Sequence, residues 1–110
     1  MKVHLIKKQT IVEFIEVNSQ SKGAFELFIS IIKEADWSIA NDIRSTFKSA
    51  DILGNGTERV VFNIGGNKYR LICAYHFGIK AVHLFIKWIG THADYSKLCK
   101  RGKQFEVDLN

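Results

Sequence analysis

The chain is 110 residues long, the size of one domain, and its 46% apolar and 25% charged side chains exclude a disordered segment and supply one core. Sixteen Lys and Arg against eleven Asp and Glu leave a net charge of +5 at pH 7, which favours a polyanionic partner: nucleic acid, an anionic membrane surface or an acidic protein. No apolar run approaches the ~18 residues that span a bilayer, and Met1 to Lys8 is too short and too charged for a signal peptide. Cys73 and Cys99 make neither a metal spacing nor a disulfide framework, so a cytoplasmic, reducing location is expected.

In chain order, Val3 to Ile6 reads as a short strand. From Thr10, which is able to cap, Ile11, Phe14 and Ile15 fall on one helical stripe. Asn18-Ser19-Gln20-Ser21 breaks that segment. A second helix follows, in which Ala24, Phe28, Ile31 and Ala35 recur at helical spacing, widened by Phe25, Ile29 and Ile32. Together the two make a helical hairpin. Ser38 is placed to cap a short helix over residues 39–47, and Gly54-Asn55-Gly56 breaks the chain again. From Glu58 the apolar period is two, which predicts strands over 58–64, 67–77 and 80–89. Gly65-Gly66 and Gly78-Ile79 fit two-residue turns, the second with glycine at its first central position. The last segment, Thr91 to Lys103, is polar and basic and reads as a short helix with a loose end. Helices first and a meander afterwards predict one α+β domain over residues 1–110. Its architecture is an antiparallel sheet of three to four strands with the N-terminal helices packed on one face.

Those two turns set a register. Across the first hairpin Asn63 faces Lys68, Phe62 faces Tyr69 and Val61 faces Arg70. Across the second, His76 faces Ala81, Ala74 faces His83, Ile72 faces Phe85 and Arg70 faces Lys87. Because side chains alternate, one face collects Val60, Phe62, Ile64, Tyr69, Leu71, Cys73, Tyr75, Val82, Leu84, Ile86 and Trp88, which is a core. The opposite face collects Arg59, Asn63, Lys68, Arg70, His76, His83 and Lys87. Like charges directly opposite on a sheet repel, so Arg70 against Lys87, with Lys68 and Arg59 nearby, looks more like a phosphate cradle than a passive surface. Long side chains splaying into solvent are the plainer reading of any single such pair.

Cutting RNA without a metal requires activation of a 2′-OH, stabilisation of a charged phosphorane and protonation of the departing 5′-oxygen. Arginine suits the second task through its bidentate fork, and histidine, which exchanges protons near neutral pH, suits the other two. Thr91-His92-Ala93-Asp94-Tyr95 lies just past the last strand, at the same end as Lys68, Arg70 and Lys87. His92 is the candidate acid or base, and Tyr95 a stacking or proton-transfer group. An ordinary helix start capped by Thr91 would carry the same residues. His76 and His83 sit toward the far end and suit binding or structure. The four histidines lack metal-ligand spacing and no paired carboxylates occur, so neither a metal nor a cofactor is expected. Lys97, Lys100, Arg101 and Lys103 form either a solvated face or an electrostatic attraction for RNA.

The stretch Val60-Val-Phe-Asn-Ile-Gly-Gly-Asn-Lys-Tyr-Arg-Leu-Ile72, with Phe85-Ile-Lys-Trp-Ile-Gly-Thr-His-Ala-Asp-Tyr95, resembles the HigB family of toxins within the RelE superfamily. Ala35-Asp36-Trp37 and Ser49-Ala-Asp-Ile-Leu53 extend the likeness over most of the chain. The resemblance implies a type II toxin–antitoxin toxin that cleaves messenger RNA on translating ribosomes, inhibits translation, and is neutralised by a HigA-like helix-turn-helix antitoxin. Operator DNA would be met only through that antitoxin. Carried over by motif, Lys68 and Arg70 hold the scissile phosphate and His92 and Tyr95 line the same site. Arg59, Asn63, Lys87, His83 and Lys97 are the expected RNA-binding residues around it. Two positions depart from the family pattern: Lys87 stands where arginine is usual, losing the bidentate fork, and Ser96 stands where aspartate is usual. The alternative reading is a non-catalytic RNA-binding protein, or a co-repressor component of the toxin–antitoxin complex, using the same cations.

Overall fold

A computed structural model describes residues 1–109. The elements run β1 (Lys2–Ile6), α1 (Lys8–Val17), a 3₁₀ turn (Ser19–Ser21), α2 (Lys22–Glu34), α3 (Asn41–Thr46), β2 (Asp51–Ile52), β3 (Arg59–Ile64), β4 (Tyr69–Phe77), β5 (Ala81–Thr91) and α4 (His92–Lys100). Alternating apolar residues from Val60 to Ile86 make the meander, and the apolar stripes of α1 and α2 lie against it. The core joins Val3, Leu5, Ile11, Phe25, Phe28, Ile32, Trp37 and Ile43 to Val60, Phe62, Leu71, Val82 and Leu84. Phe28, Phe47 and Phe62 meet ring against ring at its centre, with centroids 5.0–5.2 Å apart. No helix among the described residues is long and apolar enough to cross a membrane.

The sheet has five strands in the order β1-β5-β4-β3-β2 and is mixed, which corrects the antiparallel sheet of three to four strands. β1 lies parallel to β5 at one edge, pairing His4 with His83, and two-residue β2 closes the other. No local turn joins β1 to β5, so its neighbour is chosen by burial of Val3 and Leu5 under α2 rather than by any short-range signal. The short third helix starts at Asn41, and its entry is held by the Asp42 carboxylate, which accepts the Ser38 and Ile39 N–H groups at 2.7 and 3.1 Å. These bonds hold the Asp42 carboxyl below its usual range, a role expected of Ser38 but performed in reverse.

Both hairpins pair two residues further along than expected. Ile64 opposes Tyr69, so Gly65, Gly66, Asn67 and Lys68 all belong to the first turn, with both glycines at positive φ. Asn63 consequently opposes Arg70 rather than Lys68. In the second hairpin Phe77 opposes Val82, His76 opposes His83 and Ala74 opposes Phe85, and the Gly78 N–H donates to the Ala81 carbonyl at 2.9 Å. A shift of two preserves which face each side chain takes, whereas a shift of one would invert it.

That inversion does occur further along β5. A bulge between Ile72 and Cys73 pairs Ile72 with Trp88 and Cys73 with Ile86, leaving Lys87 as the extra residue. Beyond it Ile89 turns to the core and Trp88 leaves it for the opposite face, correcting the placement of Trp88. Arg70 then opposes Gly90, not Lys87. The face expected to lie open is partly covered: Val61, Ile72 and Leu98 bury together, with Leu53, Trp88, Tyr95 and Val107 packed around them. The helix α4 and the segment after it therefore form a second layer, not a loose end.

Candidate active site

The bulge and α4 together assemble the site at the end of the sheet where the first turn lies. The Lys68 carbonyl accepts the His92 N–H at 2.9 Å, which ties the turn to the start of α4. Thr91 caps that helix, its hydroxyl accepting the Asp94 N–H at 3.2 Å. Lys68 and His92 are both exposed. One helical turn after His92, Tyr95 is half-buried, with its ring 6.0 Å from Trp88. The guanidinium carbon of Arg70 lies 5.9 Å from the Tyr95 ring centroid, a cation–π arrangement.

Arg70 is only 7% exposed. One of its terminal nitrogens donates to the Asn67 Oδ1 at 2.6 Å and the other to the Tyr69 carbonyl at 3.0 Å. Both acceptors are neutral, and among the described residues no carboxylate lies within ion-pairing distance of it. A cation removed from water and left without a counter-charge is costly to bury. Burial raises the Tyr95 phenol above its ordinary range, with the Cys99 thiol and the negative charge of Asp51 adding to it and Arg70 opposing. Tyr95 therefore stays a neutral phenol at physiological pH.

The other sequence-predicted residues disperse. Asn63 sits across from Arg70, and its amide donates to the Ser49 carbonyl at 3.4 Å. Arg59 donates to the Gln104 carbonyl at 3.2 Å, and Lys87 makes an ion pair with Asp108 at 3.1 Å. The C-terminal segment thus occupies both of these cations, and the continuous cradle of Arg59, Arg70 and Lys87 does not form. Lys97 is exposed on α4, and His83 lies at the opposite end of the sheet between His4 and Phe85. Among the described residues no three His, Cys, Asp or Glu side chains converge as metal ligands.

Three contributors escaped the sequence reading. Asn67 aims Arg70, Trp88 packs near Tyr95, and Gly90 leaves room for the Trp88 ring. A Cβ at Gly90 would come within 2.5 Å of the Trp88 ring. Trp88 and Gly90, two residues apart, share a face by alternation, and the bulge at Lys87 turns that face to the side of Arg70 and Tyr95.

A family model described as HigB_toxin, RelE-like toxic component of a toxin-antitoxin system, matches residues 21–98, a span that contains Lys68, Arg70, His92 and Tyr95. A relative from Escherichia coli O6:H1 (strain CFT073), named mRNA interferase HigB, is 30% identical over 98 residues, covering 89% of this chain and 93% of its own length.

Proposed function

The chain belongs to the HigB family of RelE-like toxins of toxin–antitoxin systems, and on that premise we propose that it is an mRNA interferase that cuts its substrate with side chains alone. The observation that carries the reading is Arg70, a guanidinium buried without a carboxylate partner among the described residues, beside an exposed lysine and an exposed histidine. A phosphate supplies the missing counter-charge, and fixed donors aimed at developing charge are among the largest catalytic contributions.

In the proposed reaction the 2′-oxygen attacks phosphorus while the bond from phosphorus to the 5′-oxygen breaks. The products are a 2′,3′-cyclic phosphate and a free 5′-hydroxyl. Arg70 and Lys68 balance the added negative charge of the phosphorane. His92 accepts the 2′-OH proton, because Tyr95 is held in its neutral form. Tyr95 presents its ring to a base, and its hydroxyl gives a proton to the departing 5′-oxygen and regains one from water. Substrate in messenger RNA on the translating ribosome, and neutralisation by a HigA-like helix-turn-helix antitoxin that contacts operator DNA, belong to the same proposal and follow from the family.

The test is induced expression in a bacterial host of the wild type beside Arg70→Ala and His92→Gln, with transcript ends mapped. Growth arrest with new ends inside translated messages, absent from Arg70→Ala, is the expected result. Intact messages from a folded, soluble wild-type protein would sink it.

A further inference from the structure

At the end of the sheet away from Arg70, the face that α4 covers elsewhere is open. His4, His83 and His76 stand side by side on β1, β5 and β4, each the cross-strand partner of the next. Phe85 follows His83 on the same face of β5. The His4 and His83 rings lie 5.6 Å apart with planes 28° from parallel, and His83 and Phe85 lie 6.2 Å apart at 24°. Cross-strand ring pairs commonly do no more than stabilise a sheet. Such pairing does not account for Phe85, which remains 37% exposed.

Beside Phe85 opens a cleft of about 240 Å³, bounded by Thr10, Lys7, Lys87 and Asp108. Aromatic rings on an exposed sheet face next to lysines are what single-stranded nucleic acid requires: a surface for bases and cations for phosphates. Lys2, exposed one position before Val3, adds another cation at the same edge. From Phe85 to Gly90, the residue opposite Arg70, β5 runs about 17 Å at ~3.3 Å per residue, a distance a few nucleotides cover. The lysines of this rim select nucleic acid over a protein segment as the occupant.

We propose that Phe85, His83 and His4 form a base-stacking platform that holds single-stranded RNA leading away from the cleavage site. The proposal rests on the RNA reading of the Arg70 site and adds a second point of attachment to it. The Lys87–Asp108 ion pair at the cleft is solvent-exposed and weak, so a phosphate can take the place of the carboxylate.

The probe is a fluorescein-labelled all-2′-O-methyl RNA dodecamer, which cannot be cleaved because its 2′-oxygens are blocked. Binding is followed by anisotropy over a range of salt concentrations. Phe85→Leu keeps apolar bulk and loses the aromatic face, and is expected to weaken binding about tenfold. Phe85→Trp is expected to match the wild type. The salt dependence of all three should have one slope, since no phosphate contact is removed. Equal affinity of Phe85→Leu and wild type, or a loss accompanied by a shallower slope, would overturn the platform. Should Phe85→Leu melt early, His4→Ala on the exposed edge strand carries the same test. Transcript-end mapping of the wild type is read separately. Cleavage with no effect of Phe85→Leu rejects the platform alone, and a platform effect without cleavage rejects the nuclease alone.

Discussion

The two faces of the sheet are built by different rules. On the face under α1 and α2, strict alternation places Val60, Phe62, Leu71, Cys73, Val82 and Leu84 in one buried layer, and a two-residue shift in both hairpins left that layer unchanged. On the other face one bulge, one helix and one terminal segment decide everything. They bring Arg70, Tyr95 and Trp88 together, tie up Arg59 and Lys87, and leave the His4–His83–Phe85 row open. Repetition makes the first face tolerant. The second face carries the candidate chemistry because its residues are there through single, non-repeating features.

Neighbouring residues Leu71 and Arg70 point to opposite faces and offer the sharpest way to break this contrast. Leu71→Ala, fully buried, is expected to lower stability by about 2–5 kcal/mol in chemical denaturation. Arg70→Ala is expected to lower cleavage by roughly 10²–10³-fold while its melting curve stays near wild type. A large loss of stability in Arg70→Ala would mean that the guanidinium is structural and the two faces are not distinct. Arg70→Lys should fail to restore cleavage, because an ammonium cannot engage Asn67 and a phosphate as a fork.

A smaller effect is expected from Gly90→Ala, whose Cβ would press on the Trp88 ring. Displacing Trp88 and Tyr95 should cost about 1–3 kcal/mol of stability and reduce cleavage with it. An active, wild-type-stable Gly90→Ala would show that the ring positions are not critical. The smallest effect concerns the terminal segment. Hydrogen bonding to Lys87 holds the Asp108 carboxyl below its ordinary value, so the contact is fully present above the usual carboxylate range. It is lost as pH falls through that lowered value. Protection factors of the amides in residues 104–108, corrected for the intrinsic slowing of exchange toward acid, should therefore fall on acidification, and Asp108→Asn should show the lower protection already at neutral pH. Protection that is unaffected by either change would remove the ion pair from the account of what holds this segment.

The expectations that held came from patterns repeated along the chain. The two helical stripes, the three central strands and their facing up to Ile86 depend on periodicity, which survives an error of two residues in a turn. Lys68, Arg70, His92 and Tyr95 were legible as a group because two short motifs flank the same end of adjacent strands, and the structure brings them together. The pairing of Arg70 with Lys87 was not legible as wrong. It turned on one extra residue in β5, and nothing local in Ile86-Lys87-Trp88 marks a bulge.

By itself the sequence determined the α+β class, the buried layer under the helices and the identity of the polar residues at one end of the meander, since alternation and turn chemistry act over a few neighbours. Tertiary structure alone decided that β1 runs parallel to β5, that α4 covers half of the second face, and that Asp108 and the Gln104 carbonyl reach Lys87 and Arg59. These are contacts between residues far apart in the chain. Their partners are chosen by which apolar surfaces remain to be buried once the central strands have paired, a choice that no short stretch of sequence contains.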